Sequence, residues 1–169
     1  MAKVIADKGF TNKIKVKFVL EQLELSNIKD EEILEIGSGS GWLTEQLKEK
    51  GYNITSFDKD NEADIQADFL EYKFEKKYKV IIALEFLEHG FFTDKVISIL
   101  EKDGILIATF PNPRFDGLMQ FLSWNGIYNS QWKYHYLEHV NLFYPKEVPL
   151  KLLTKKSIFK ICYMVCWTK

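Results

Sequence analysis

Cysteine is scarce in this sequence of 169 residues, which contains only Cys162 and Cys166. Two thiols cannot build the disulfide framework that stabilises small secreted domains. Long apolar runs are also missing, because no segment approaches the ~20 residues that a membrane span needs. The first residues lack the apolar core of a secretory signal. We therefore expect a reduced, soluble, cytoplasmic protein that does not enter a membrane.

A surplus of charge of one sign is absent as well. Lys and Arg number 23 and Asp and Glu number 24, which gives a formal net charge of −1. Binding driven by nucleic-acid phosphates needs a clear cationic excess, so the composition argues against a nucleic-acid partner. The length favours one domain over residues 1–169. Aromatic residues, in contrast, are abundant at 15% of the chain.

Short apolar strands alternate with helices along the chain. The patterns predict helices over 11–27, 42–50 and 92–101, and strands over 32–36, 53–57, 65–69, 78–84 and 105–110. The first helix places Lys13, Lys15 and Lys17 on its solvent side. Residues 102–104 predict a turn, 145–156 a helix that begins near Pro145, and 158–167 a last strand. Such alternation predicts an α/β fold with a largely parallel sheet.

A glycine-rich loop follows the first predicted strand. It runs Glu35-Ile-Gly37-Ser38-Gly39-Ser-Gly41-Trp42. Glycines let the backbone turn tightly and approach a ligand, and ligands bind at the carboxyl ends of parallel strands. The dinucleotide fingerprint would place its third glycine at position 42, where this chain has tryptophan. The loop therefore argues against a pyrophosphate cradle, and a plain strand-to-helix connection is the alternative.

Acidic residues end the next two predicted strands. Asp58, followed by Lys59, stands where a carboxylate can accept both hydroxyls of a ribose. Asp68 could accept a hydrogen bond from an adenine amino group, while the backbone N–H of Phe69 donates to a ring nitrogen. Each acid alone could be a solvated loop residue. Their positions at consecutive strand ends favour a nucleoside site.

The ordered motifs resemble those of class I S-adenosylmethionine-dependent methyltransferases. Residues 35–41 resemble their motif I, and Glu85-Phe-Leu-Glu88-His89 resembles the Glu-x-Leu-Glu-His motif of a branch that includes quinone-biosynthesis and natural-product methyltransferases. Residues 105–112 and 138–143 resemble that branch's fifth strand and its Glu-His-Val segment. The resemblance implies a Rossmann-like sheet with helices on both faces and S-adenosylmethionine as cofactor. It assigns cofactor binding to Glu35, Gly37, Ser38, Gly39, Gly41, Trp42, Asp58, Lys59, Asp68, Phe69 and Glu85.

Two departures from the family pattern are visible. Only nine residues separate Asp58 from Asp68, so the helix that usually follows the second strand must be reduced or missing. The C-terminal part has room for about one strand, where the family has an antiparallel pair. We expect this shortened sheet edge to be able to pair with a second copy of the chain in a homodimer.

Residues 112–144 form a predicted aromatic lid inserted into the domain. Its charges balance, since Arg114 and Lys133 oppose Asp116 and Glu138. A neutral aromatic lid suits a small, largely uncharged acceptor for O- or N-methylation, and an additional hydrophobic subcore is the alternative. His89 and His139 lie in matched motifs and are candidate general bases for a hydroxyl acceptor, or else structural hydrogen-bonding residues.

Two further functions remain open at this point. Glu85, Glu88, His89 and His139 resemble the metal-binding set of small-RNA 2′-O-methyltransferases, which suggests a metal-assisted RNA-terminal enzyme. Metal-free relatives share the same pattern, so we assign no metal. The missing helix and short C-terminal part also fit a degenerate module that binds S-adenosylmethionine without catalysis.

Overall fold

The computed structural model describes residues 10–60, 62–125 and 141–169. Its helices are α1 (Phe10–Leu25), α2 (Trp42–Glu49), α3 (Thr93–Ile99) and α4 (Pro113–Trp124). Its strands are β1 (Glu32–Ile36), β2 (Asn53–Asp58), β3 (Ile65–Gln66), β4 (Tyr78–Leu84), β5 (Leu100–Pro111), β6 (Lys151–Ile158) and β7 (Cys162–Thr168). The predicted α/β class is confirmed.

The strands form one mixed sheet in the order β3-β2-β1-β4-β5-β7-β6. Strands β1 to β5 pair in parallel, and β7 pairs antiparallel with both β5 and β6. The chain order reverses between β1 and β4, which makes their carboxyl ends the topological switch point. The glycine loop after β1 and the turn after β4 therefore flank the same crevice.

Helices pack on both faces of the sheet, as predicted. Helices α1 and α2 cover one face through Val19, Leu43 and Leu47, each fully buried. Helix α3 covers the other face through Val96. Because the central strands are covered on both sides, residues 80–84 of β4 form a continuous apolar run without polar alternation.

Aromatic side chains take the place of helices between β2 and β4. The described residues between these strands contain no helix, which confirms the predicted reduction after the second strand. Phe57, Tyr72 and Phe74 pack together there, with ring centroids 4.8–5.5 Å apart. The ammonium of Lys95 lies 5.8 Å from the Phe74 ring centroid and makes a cation–π contact with this cluster.

The C-terminal part corrects two predictions. Residues 145–156 are not a helix: a 3₁₀ turn at Pro145–Glu147 leads into β6. The antiparallel pair is thus present, and the expectation of room for one strand was wrong. The β6–β7 hairpin closes through Phe159 and Lys160, both in the left-handed region (φ 48° and 64°), with Ile161 N donating to Ile158 O at 3.0 Å. This local turn and the ladder with β7 outweigh the helical spacing of the apolar residues.

Smaller differences occur at element boundaries. The predicted turn at 102–104 is a bulge within β5, where Asp103 has φ 58° and the register with β4 shifts. Strand β3 covers only two residues instead of 65–69. Among the described residues, no helix is long and apolar enough to cross a membrane.

Candidate functional site

The glycine loop has the backbone conformation that its residues allow. Gly37, Gly39 and Gly41 have φ of 70°, 55° and 76°, in the left-handed region that disfavours other residues. A Cβ built on Gly39 or Gly41 would meet no heavy atom within 4 Å. A Cβ on Gly37 would lie 2.6 Å from Cδ2 of Phe86. The loop is therefore covered at its first glycine and open at the other two.

Asp58 binds the loop directly from the end of β2. Its Oδ2 accepts a hydrogen bond from Gly39 N at 2.8 Å, and its Oδ1 accepts one from Asp60 N at 3.0 Å. A carboxylate has acceptor positions for about four donors, so it can hold the loop and a ligand at once. The structure thus brings together the two features on which the nucleoside prediction depends.

Glu35 and Ser38, which lie on either side of Ile36 and Gly37, are both buried. Glu35 is 3% exposed and accepts a hydrogen bond from the Thr44 hydroxyl of α2. Burial raises the pKa of Glu35 to about 7, and the charge of Asp58 adds to the effect. Ser38 Oγ is buried without a hydrogen-bond partner among the described residues. Trp42 begins α2 and packs against the core on the α1 and α2 face.

The Asp68 carboxylate is bound by other groups of the protein. Its Oδ2 lies 2.7 Å from Nζ of Lys59, and its Oδ1 accepts from Leu70 N at 2.9 Å. These donors lower the pKa of Asp68. Phe69 is buried, with its ring edge-on to Phe86 at 5.4 Å. An adenine amino group would compete with the Lys59 ammonium for this carboxylate.

Glu85 sits at the start of the turn after β4, with a left-handed φ of 51°. Its Oε1 accepts from Thr109 Oγ1 at 2.7 Å and Cys162 Sγ at 3.3 Å, and lies 2.9 Å from Lys15 Nζ. Burial disfavours the charged form, but the Lys15 ammonium and the hydrogen bonds lower the pKa of Glu85 to about 2. Lys15 is only 14% exposed, so its predicted solvent position was wrong: the half-buried Glu85 carboxylate attracts it inward.

Glu88 forms a carboxyl pair with Glu85. It is 1% exposed, and neither carboxyl oxygen has a partner donor among the described residues. Burial and the neighbouring Glu85 charge raise the pKa of Glu88 well above its usual value. Environments that push two carboxyl pKa values apart leave one acid neutral and the other ionised. Within this pair, burial thus favours the protonated form of Glu88, and the charge stays on Glu85.

The candidate histidines are described only in part. His89 ends the 3₁₀ turn Leu87–His89, and its N donates to Phe86 O at 3.1 Å. Asn141 contacts this turn through two hydrogen bonds. Its N donates to Glu88 O at 3.0 Å, and its Nδ2 donates to Gly90 O at 3.1 Å. His139 and residues 126–140 of the lid lie outside the described residues. Within the described ranges, no group of three or more His, Cys, Asp or Glu side chains could hold a metal ion.

Sequence reasoning missed four residues around the site. Thr44 hydrogen-bonds the buried Glu35. Thr109 and Cys162 hydrogen-bond Glu85, and Lys15 pairs with the charge of Glu85. Thr109 lies near the end of the predicted strand 105–110, and this position could have indicated that its side chain lies near the site. Cys162 and Lys15 gave none, because their neighbours come from distant parts of the chain.

Comparisons with known proteins agree with this geometry. Residues 12–149 match the family described as methyltransferase domain. A curated ubiquinone biosynthesis O-methyltransferase of Rickettsia bellii is 29% identical over 96 residues, which span 46% of this chain and only 40% of that relative.

Solved structures share the fold. The N-methyltransferase NodS of Bradyrhizobium japonicum is 16% identical with a TM-score of 0.60, covering 98% of this chain and 99% of NodS. The plantazolicin methyltransferase BpumL, solved with S-adenosylhomocysteine and a triazolic desmethylPZN analogue, is 14% identical with a TM-score of 0.67. The match covers 96% of this chain and 86% of BpumL. With most of its length matched by the family, the chain belongs to the methyltransferase domain family.

Proposed function

We propose that this chain transfers a methyl group from S-adenosylmethionine to a small, largely uncharged acceptor. The observation that carries the proposal is the Asp58 carboxylate bound to Gly39 N beside open backbone at Gly39 and Gly41. A ligand that approaches the loop at Gly39 and Gly41 meets an acceptor for hydroxyl groups and open space above both glycines. The buried hydroxyl of Ser38, which has no partner among the described residues, offers a further donor.

The residues present fit this cofactor. Asp58 would hold the ribose, the Gly39–Gly41 backbone would lie along the ligand, and Ser38 would donate to a polar group of its amino-acid part. S-adenosylmethionine supplies an electrophilic methyl group when bound. The protein has to exclude water and hold the acceptor in line with that group.

The aromatic lid 112–144 is our candidate for acceptor binding. Its described helix α4 exposes Leu118, Phe121 and Trp124 by 50%, 62% and 67%. Apolar side chains at this exposure suit contact with an apolar ligand or with another part of the chain. We propose that His89 and His139 act as general bases only if the acceptor is a hydroxyl.

The names of the relatives support a small-molecule acceptor but differ in the attacked atom. One curated relative is named for O-methylation in ubiquinone biosynthesis, and a structural neighbour is named an N-methyltransferase. Free thiols at Cys162 and Cys166 fit the proposed cytoplasmic location. Separately, we propose that two copies of the chain form a homodimer through the edge of the sheet.

A transfer assay tests the proposal. The protein would be incubated with S-adenosylmethionine and panels of phenolic and amine acceptors, and S-adenosylhomocysteine formation would be followed by mass spectrometry. We expect acceptor-dependent product formation that falls in the Asp58→Ala variant. Tight cofactor binding with no turnover across both panels would favour the non-catalytic module instead.

A further inference from the structure

Three phenylalanines from separate segments meet beside the glycine loop. Phe69 follows β3, Phe86 follows β4 and Phe92 precedes α3. The Phe86 and Phe92 rings stack with centroids 4.6 Å apart and planes 22° from parallel. Phe69 packs edge-on to both, at 5.4 Å and 5.7 Å. The Phe69 and Phe92 rings therefore hold Phe86 in one position.

The Phe86 ring occupies the volume over Gly37. A Cβ at Gly37 would come within 2.6 Å of Cδ2 and 3.2 Å of Cγ of Phe86. The same construction at Gly39 and Gly41 meets nothing within 4 Å. Only the second half of the loop is therefore open to a ligand.

The N–H groups of the three loop glycines already have acceptors. Gly37 N donates to Phe57 O at 2.8 Å, Gly39 N to Asp58 Oδ2 at 2.8 Å and Gly41 N to Ser38 O at 2.9 Å. A phosphate-binding loop instead directs its N–H groups at the anion. The exposed chemistry here is a carboxylate acceptor, so this part of the loop suits a ligand that brings donors, such as ribose hydroxyls.

We propose that Phe86 is the specificity-determining residue of this loop: its ring keeps a pyrophosphate away from Gly37 and confines a nucleoside ligand to Gly39–Gly41. The inference rests on the proposed function, since it deepens the account of the same site. Phe86 excludes a pyrophosphate by occupying the space over Gly37, and removing the ring takes away that barrier.

Ligand discrimination in a Phe86→Ala variant tests the proposal. Calorimetry would compare S-adenosylhomocysteine with ADP, which carries the same nucleoside and a pyrophosphate. We expect the affinity ratio of S-adenosylhomocysteine to ADP to narrow at least about tenfold, equivalent to about 1.4 kcal/mol. The control is Phe91→Ala on the same turn, since Phe91 is 79% exposed and should leave the ratio unchanged. If Phe86 had a purely structural role, the variant would bind S-adenosylhomocysteine and ADP more weakly by the same factor. An affinity ratio unchanged from the wild type would therefore overturn the inference.

A second variant covers the case in which Phe86→Ala fails to fold. Phe86→Leu keeps an apolar contact with Gly37 but fills less of the space over it. We expect the affinity ratio of S-adenosylhomocysteine to ADP to narrow less than in Phe86→Ala. A wild-type ratio in a folded Phe86→Leu protein would overturn the inference. Wild-type protein that binds no S-adenosylhomocysteine would instead refute the proposed function, and this inference with it.

Discussion

Asp58 connects the second strand to the glycine loop, and its removal has a measurable expected cost. We predict that Asp58→Ala weakens S-adenosylhomocysteine binding by roughly 1.5–3 kcal/mol, the scale of hydrogen bonds to a charged group. Calorimetry measures the change directly. Asp60→Ala is the matched control, because Asp60 contacts Asp58 through its backbone N and exposes its side chain. Equal affinities in the wild type and Asp58→Ala would contradict the ribose assignment.

Glu35 makes the stability of the fold depend on pH. Its pKa is raised to about 7, so the folded chain holds this proton more tightly than the unfolded chain does. The stabilisation is complete below the unfolded pKa and is lost as pH rises through the folded pKa. We predict that, between about pH 5 and about pH 8, wild type loses up to about 3 kcal/mol of unfolding free energy relative to Glu35→Gln.

Denaturant unfolding at several pH values checks this prediction. Glu31→Gln is the control, because Glu31 is exposed and should follow the wild type. If Glu35→Gln and the wild type show the same pH dependence, the carboxyl is ionised in the folded protein and the assignment fails.

Lys15 supplies the positive charge beside the carboxyl pair of Glu85, which is half-buried, and Glu88, which is buried. Removing one partner of a buried ion pair leaves an uncompensated charge. Glu85 keeps about a third of its side chain in solvent, so we expect a moderated cost of roughly 2–4 kcal/mol in Lys15→Met. Chemical denaturation measures the loss. Lys17→Met on the exposed side of α1 should change stability by less than about 0.5 kcal/mol, and equal losses in both variants would refute the pairing.

At the scale of elements, β6 forms the outer edge of the sheet and carries Lys151, Lys155 and Lys156. Lysines on an edge strand oppose pairing with another edge by charge repulsion. If the proposed homodimer forms through β6, we predict that its population rises with ionic strength, because salt screens these charges. Sedimentation at low and high salt measures it. A dimer fraction that falls with added salt would place the interface elsewhere.

The elements that sequence reasoning located well are those with strong local signals. Strand β1 is followed by glycine, β2 ends at aspartate, β4 carries a long apolar run, and α2 combines helical spacing with a following Gly51. The structure confirms all four elements within a residue. Strand β6 was missed because its identity depends on pairing with β7. The inward position of Lys15 was missed because its partner Glu85 lies 70 positions along the chain.

The candidate site divides in the same way. The positions of Gly37, Gly39, Gly41 and Asp58 at the crevice could be predicted because the glycines directly follow β1 and Asp58 ends β2. The covering of Gly37 by Phe86 could not, since it arises where β1 and β4 lie side by side in space. Contacts between distant segments are invisible to periodicity and propensity.

At the scale of the whole molecule, the fold places the open part of the glycine loop, Asp58 and the Phe86 ring at one switch point. The mixed sheet with an antiparallel C-terminal hairpin and the family match over residues 12–149 agree with one another. The central claim is that this switch point binds S-adenosylmethionine rather than a dinucleotide.

Calorimetric titration of the wild-type protein with S-adenosylhomocysteine and, in parallel, with NAD tests that claim most directly. The account predicts saturable binding of S-adenosylhomocysteine at one site per chain, with no saturable heat from NAD. Saturable binding of NAD, with none of S-adenosylhomocysteine or S-adenosylmethionine, would contradict it.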